Sequence, residues 1–234
     1  MSEDPAVREV ANTSFEFVGC VELRELLGKK AEDELQLMDL LEEVPIDSIY
    51  YHTHEYLLRH RYLMGPYPND FATWVAIQVR DRVLGERLGV IDPCDFETLE
   101  ELRDALIAVI EDHLSKIYFV PRVEYGQPFY FMQSRTVEVP TEIIAQDLQE
   151  FRDGLATVDA SAIYYHFYAA RIRRNRRSGD FTVWVEEALQ MPELAQRIRA
   201  IDPYIFSLEQ LRSRLVEACD KFLMQDGRAG AGSS

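Results

Sequence analysis

The sequence predicts a mainly helical α+β protein of two tandem repeats, each a short β-hairpin followed by about four helices, related by pseudo-twofold symmetry. An internal duplication is the first reason, because a Tyr-Tyr-His element and an Asp-Phe-x-x-Trp-Val element each occur twice. The copies lie 114 residues apart at His52 and His166 (166 − 52) and 110 apart at Asp70 and Asp180 (180 − 70). The second reason is that strand-like alternation opens both copies and helical periodicity follows it.

Two short stretches with a period of two open each copy and predict a β-hairpin. Because an isolated two-stranded hairpin is only marginally stable, we expect one small sheet shared by both copies. The alternating residues are Phe15, Phe17, Val21 and Leu23 in the first copy, and Phe129, Phe131, Val137 and Val139 in the second.

A first helix follows each hairpin, and a second helix carries the Tyr-Tyr-His element. We expect Asp47 or Ser48 to cap this second helix in the first copy, and Ser161 to cap it in the second. The helical spacing places His52 on one stripe with Ile49, Thr53, Tyr56 and His60. The periodic residues of the first helices are Leu37, Leu40, Leu41 and Val44, and Ile144, Leu148, Phe151 and Leu155.

The third helix begins at the Asp-Phe-x-x-Trp element, where Asp70 and Asp180 stand in the position of an N-cap. The last helix begins at a capping box, in which the cap residue and the third helical residue satisfy each other's backbone amides. These boxes are Thr98-x-x-Glu101 and Ser207-x-x-Gln210.

The ends of the chain lack apolar periodicity, and the C-terminus is rich in glycine, alanine and serine. We therefore expect a flexible leader at residues 1–13, a first repeat at 14–118, a second repeat at 119–224 and a disordered tail at 225–234.

Composition indicates a globular protein, with 47% hydrophobic and 28% charged residues among 234. The acidic N-terminus lacks the features of a secretion signal, and the three cysteines are scattered, so we expect a cytoplasmic protein. No apolar run reaches the roughly 18 residues of a membrane helix. The net charge of −16 argues against nucleic acid binding.

Five arginines within seven positions interrupt this acidic character and are a candidate binding surface for a protein partner or an acidic ligand. The alternative is a solvated helix end, which is the usual place of a run of like charges. The arginines are Arg171, Arg173, Arg174, Arg176 and Arg177.

The duplicated elements also supply the candidate ligand-binding residues, because a histidine held by an aspartate can act as a general base near neutral pH. The alternative is that they fill and fasten the core. These residues are Tyr50, Tyr51, His52, Asp70 and Trp74, with Tyr164, Tyr165, His166, Asp180 and Trp184.

Motifs for cofactors or nucleophilic catalysis are missing from the sequence, so we expect no cofactor and assign no catalytic residue. We also expect no metal site. His52, His54, His60 and His113 supply enough imidazoles for zinc, but positions i and i+2 of a helix point about 200° apart, so His52 and His54 do not share an ion.

The Tyr-Tyr-His, Asn-Asp-Phe-x-x-Trp and Ile-Asp-Pro blocks resemble an uncharacterised bacterial domain-of-unknown-function family whose members carry this pattern, often in two copies. The resemblance covers Phe15 to Leu223; the second copy departs from it with Ser178-Gly179 in place of Pro68-Asn69. It implies the architecture and no activity. Two functions stay open: a non-enzymatic interaction or regulatory module, or a small-ligand-binding or hydrolase-like protein with one His/Asp/Tyr pocket per repeat.

Overall fold

A computed structural model describes residues 11–63, 65–120, 122–123, 126–170 and 178–231, with backbone alone for residues 204 and 226–231. The chain forms two compact units. The central unit comprises residues 22–137, and the terminal unit comprises residues 1–21 and 138–234; the names refer to position in the sequence. The boundary between the units therefore falls inside both β-strands.

The sheet has two antiparallel strands, β1 (Phe15–Ala31) and β2 (Phe129–Ala145), one from each half of the sequence. The expectation of one small sheet is confirmed. The expectation of a hairpin in each copy is wrong, because Phe15 to Leu23 lie in one continuous 17-residue strand, and so do Phe129 to Val139.

In the central unit, six helices of the described residues lie between the two strand segments. Its core joins the helices to Phe129 and Phe131 of β2, and includes the fully buried Leu37, Ile49 and Phe71. The helices are α1 (Glu34–Glu43), α2 (Ile46–Thr53), α3 (Tyr56–Arg59), α4 (Asp70–Trp74), α5 (Arg82–Gly89) and α6 (Leu99–Leu114), with a π-helical turn at Val75–Val79 and a 3₁₀ turn at Pro93–Asp95.

The terminal unit has a similar order of elements. Its core includes an aromatic cluster, in which Phe15 and Phe17 of β1 pack against Phe151, Phe181 and Trp184. The helices are α7 (Leu148–Thr157), α8 (Ala160–Ile163), α9 (Asp180–Glu187), α10 (Pro192–Arg199) and α11 (Leu208–Ala231), with a π-helical turn at Tyr164–Ala169 and a 3₁₀ turn at Pro203–Ile205.

Both predicted capping boxes are present. Thr98 and Glu101 exchange hydrogen bonds with each other's backbone amides at the start of α6. At the start of α11, the backbone N–H of Gln210 donates to Ser207 Oγ (3.3 Å) and that of Ser207 donates to Gln210 Oε1 (2.9 Å). These local signals specify where a helix begins because both partners lie within one turn.

The caps predicted for the other helices are wrong. Asn69, not Asp70, caps α4, and its side chain accepts the N–H of Ala72 (2.8 Å). Gly179 occupies the cap position before α9. Asp70 and Asp180 are therefore the first residues inside their helices, and neither carboxylate caps its helix.

The Tyr-Tyr-His helices also begin one turn or less earlier than predicted. Pro45, not Asp47 or Ser48, precedes α2. Asp159, not Ser161, caps α8 by accepting the Ser161 N–H (2.8 Å).

The chain ends are more ordered than their composition suggests within the described residues. Ala11 and Asn12 donate backbone hydrogen bonds to Gln146 and Ala188. Helix α11 continues through Ala231, inside the segment expected to be a tail. None of the described helices is long and apolar enough to span a membrane.

Candidate functional site

His52 is the centre of a hydrogen-bond network in the central unit. Its Nε2 atom accepts the backbone N–H of Met132 in β2 (3.0 Å), and its Nδ1 atom contacts Asp70 Oδ2 (2.8 Å). The same carboxylate oxygen accepts a hydrogen bond from Arg59. The imidazole of His52 on α2 therefore binds the backbone of β2, and Asp70 on α4 holds that imidazole in place.

These contacts define the protonation state of His52. Because Nε2 accepts a hydrogen bond, it carries no proton, and the single proton of the neutral ring lies on Nδ1 and is donated to Asp70. Burial lowers the pKa of His52 below its ordinary value. The contact with Asp70 opposes this shift without reversing it, so the ring is neutral at physiological pH. Neither ring nitrogen is available to take a proton from a substrate.

His166 makes the same contacts in the terminal unit. Its Nε2 atom accepts the backbone N–H of Val18 in β1 (2.8 Å), and its Nδ1 atom contacts Asp180 Oδ2 (3.0 Å). Its ring packs against Phe15, with centroids 4.8 Å apart. We call each of these arrangements of histidine, aspartate and strand N–H a histidine clamp.

Each tryptophan adds a second link between helix and chain. The indole N–H of Trp74 donates to the carbonyl oxygen of Gln127 (2.8 Å), and that of Trp184 donates to the carbonyl oxygen of Thr13 (2.7 Å). Both acceptors lie just before the strand of the same unit. The tryptophans thus serve the same structural purpose as the histidines.

The tyrosines point to different places. Tyr50 stacks on His54 (5.1 Å between ring centroids), and Tyr164 stacks on Tyr168 (5.6 Å). Tyr51 lies against Met132, with 3.7 Å between its hydroxyl oxygen and the methionine sulfur. The Tyr165 hydroxyl donates to Glu138.

A cleft of about 540 Å³ opens beside the terminal clamp. Of the ten candidate ligand-binding residues, His166, Asp180 and Trp184 line it. The other lining residues are Asn12, Thr13, Phe15, Val183, Glu187 and Ala188.

Sequence reasoning missed two charged residues of the central unit. Arg59 lies over the Tyr51 ring (4.1 Å to the centroid) and donates to the Tyr51 carbonyl oxygen (2.8 Å) as well as to Asp70. Glu55 is fully buried, and its carboxylate accepts hydrogen bonds from Ser134 and Thr136. Burial raises the pKa of Glu55. No sequence pattern predicts either role. The partners of Glu55 are 79 and 81 residues away in the sequence, and Arg59 contacts an aromatic ring.

Another group of titratable side chains lies elsewhere in the central unit. Potential ligand atoms of Glu34, Asp81 and His113 all lie within 4.8 Å of one another. Burial raises the pKa of Glu34 to about 7, and nearby Asp81 adds to the shift. These three residues are the ones among those described that are placed to hold a metal ion.

The five arginines from Arg171 to Arg177 lie outside the described residues. Their candidacy as a partner surface therefore stays a prediction.

Comparison with known proteins identifies a family without identifying an activity. No curated protein matches the chain significantly. The chain is similar to a solved structure described as the structure of OrfY from Thermoproteus tenax, with 26% sequence identity and a TM-score of 0.74 over 91% of this chain and 96% of that one. The model of a family described as Family of unknown function (DUF5752) matches residues 12–220. The chain therefore belongs to this family of unknown function.

Proposed function

We propose that the protein is a non-enzymatic interaction or regulatory module of the cytoplasm, built from two homologous repeats related by pseudo-twofold symmetry. The observation that supports the absence of catalysis is the state of the two histidines. In each unit the Nε2 atom accepts a strand N–H and the Nδ1 atom faces an aspartate. A general base needs a lone pair within reach of the substrate proton, and these lone pairs are already used.

The repeated order of elements supports the proposed duplication. In each unit a strand residue donates to a histidine near the end of the second helical segment. A tryptophan of a later helix donates to a carbonyl group before the strand. With the repeat boundaries proposed from the sequence, 14–118 and 119–224, the histidine of each clamp belongs to one repeat and its strand N–H to the other. His52 of the first repeat accepts from Met132 of the second, and His166 of the second accepts from Val18 of the first.

We further propose that the partner is an acidic protein surface that binds Arg171, Arg173, Arg174, Arg176 and Arg177. Guanidinium groups form charge-assisted, bidentate hydrogen bonds with carboxylates, which makes an arginine-rich segment suited to this chemistry.

Quantitative cross-linking of the full chain in cells tests this proposal. Partners captured by the wild type are expected to be lost when all five arginines are changed to serine. They are expected to be kept when five exposed basic residues elsewhere are changed to serine: Arg82, Lys116, Arg135, Arg214 and Lys221. Equal capture by both variants contradicts the proposed surface.

The cleft in the terminal unit favours one alternative, which is small-ligand binding. Its volume of about 540 Å³ lies in the range of ligand sites, and Trp184, His166 and Asp180 give it aromatic and polar walls. Ligand-observed NMR with a fragment library tests this alternative. Binding that disappears in Val183→Phe, which fills the cleft, supports it, and the same hits in both proteins exclude it.

A further inference from the structure

Glu34, Asp81 and His113 meet in the interior of the central unit, although they come from three helices far apart in the sequence. Glu34 is the first residue of α1, Asp81 caps α5, and His113 lies in the last turn of α6. His113 Nε2 lies 2.9 Å from Asp81 Oδ2, and one ligand atom of each residue lies within 4.8 Å of the others.

Glu34 is the unusual member of this group. Its side chain is fully buried, with 0% relative exposure. Among the described residues, neither of its carboxylate oxygens has a hydrogen-bond partner. A buried polar group without a partner costs free energy, and a buried carboxylate costs more than a neutral group. The carboxylate faces another carboxylate and an imidazole nitrogen, and a cation would satisfy all three.

The other two residues are already oriented. Asp81 Oδ1 accepts the backbone N–H of Leu84 (2.8 Å), which holds the second oxygen, Oδ2, toward His113. Only 16% of the Asp81 side chain and 8% of the His113 side chain are exposed. Both side chains are therefore buried and held in place by the fold itself.

The second half of the chain indicates that the fold does not require polar residues here. Leu148 is the first residue of α7, as Glu34 is of α1. Met191 precedes α10, as Asp81 precedes α5. Phe222 lies 14 residues into α11, as His113 lies 14 residues into α6 (222 − 208 and 113 − 99). All three positions carry apolar residues in the terminal unit.

We propose that Glu34, Asp81 and His113 bind one divalent transition-metal cation, Zn²⁺ or Mn²⁺, inside the central unit. Two carboxylates and a dication sum to zero charge, which offsets the cost of burying each ion alone. An imidazole ligand favours a transition metal over Mg²⁺ or Ca²⁺, which prefer oxygen alone. Ligand atoms about 2.0–2.2 Å from a common ion lie roughly 3–4 Å apart, so small side-chain movements suffice.

Isothermal titration calorimetry of the full chain, purified without a histidine tag and treated with EDTA, tests the proposal. Titration with ZnCl₂ and with MnCl₂ is expected to show one site per chain for at least one of the two metals, and MgCl₂ is expected to bind more weakly. The absence of stoichiometric binding of both Zn²⁺ and Mn²⁺, or tighter binding of Mg²⁺, overturns the proposal.

Two variants assign the binding to these residues. Glu34→Gln keeps the shape and removes the charge, and the affinity is expected to fall at least about 10-fold. The triple variant Glu34→Leu, Asp81→Met and His113→Phe carries the residues of the terminal unit and is expected to fold, by circular dichroism, without binding metal. A matched control with Glu100→Gln, Asp104→Asn and His60→Gln is expected to keep the wild-type affinity. Wild-type affinity in the folded triple variant, or its loss in the control, contradicts the assignment.

Discussion

The backbone N–H of Met132 donates to the Nε2 atom of His52 at 3.0 Å, so a side chain on helix α2 satisfies an N–H group that the neighbouring strand does not use. An unpaired strand edge is a site for aggregation and carries unsatisfied polar groups. The histidine removes both problems at this position, and Asp70 fixes the tautomer that makes the contact possible.

Replacement of His52 is expected to destabilise the protein. His52→Ala leaves the Met132 N–H and the Asp70 carboxylate with one partner fewer and opens a cavity beside Phe129 and Phe71. We expect a loss of about 2–4 kcal/mol in the free energy of unfolding, measured by urea denaturation. The partly exposed His60 is the control, and we expect His60→Ala to lower the free energy of unfolding by about 1 kcal/mol. Equal losses for the two variants contradict the clamp.

Replacement of Arg59 by lysine is expected to cost about 1–2 kcal/mol of stability, although the charge is kept. Arg59 stacks on the Tyr51 ring and donates to both Tyr51 and Asp70, and the side chain is only 12% exposed. A lysine ammonium lacks the planar fork that makes these contacts together. Arg61→Lys serves as the control. Thermal denaturation that shows Arg59→Lys to be as stable as wild type argues against this anchoring role.

The pH dependence of stability is expected to report on His54, which is buried in the central unit. Burial lowers its pKa to about 3, compared with 6.5 for an unperturbed histidine. The unfolded chain therefore binds a proton between these values and the folded chain does not. Its contribution to stability is complete above pH 6.5 and decreases as the pH falls toward about 3.

The variant His54→Tyr isolates this effect, because Tyr168 occupies the corresponding position of the terminal unit and stacks on Tyr164. Urea denaturation at neutral pH and at about pH 4.5 is expected to show the wild type losing more stability than the variant, by on the order of a few kcal/mol. Parallel losses in the two proteins would show that His54 does not titrate in this way.

Gly154→Ala is expected to destabilise the terminal unit, although alanine has a higher helix propensity than glycine. In an unhindered helix interior this substitution stabilises by about 1 kcal/mol. Here an added Cβ would lie 2.5 Å from Cε2 of Phe17, so the aromatic core must shift. We expect a net loss of about 1–3 kcal/mol by urea denaturation. A stabilised variant would mean that Phe17 moves without cost.

Local patterns in the sequence predicted much of this structure. The capping boxes at Thr98 and Ser207 are confirmed because all the interacting groups lie within one helical turn. The pairing of each histidine with its aspartate followed from the repeated blocks. The same blocks assigned Asp70 and Asp180 to caps, and this was wrong because the preceding Asn69 and Gly179 take that position.

Contacts between distant segments were beyond prediction from one sequence. The strand partners of the histidines lie 80 residues from His52 and 148 residues from His166. The group of Glu34, Asp81 and His113 likewise depends on three helices meeting. Nothing in the neighbouring residues specifies which distant backbone group will face a given side chain.

The state of the imidazole rings is the most direct test of the account. Long-range ¹H–¹⁵N NMR correlation spectra of the histidine side chains distinguish the Nδ1–H tautomer, the Nε2–H tautomer and the imidazolium ion. His52 and His166, assigned through His52→Gln and His166→Gln, are expected to show the neutral Nδ1–H tautomer at pH 7. Rings in the Nε2–H tautomer, or charged rings, at both positions would contradict the clamp and return these histidines to the list of possible catalytic bases.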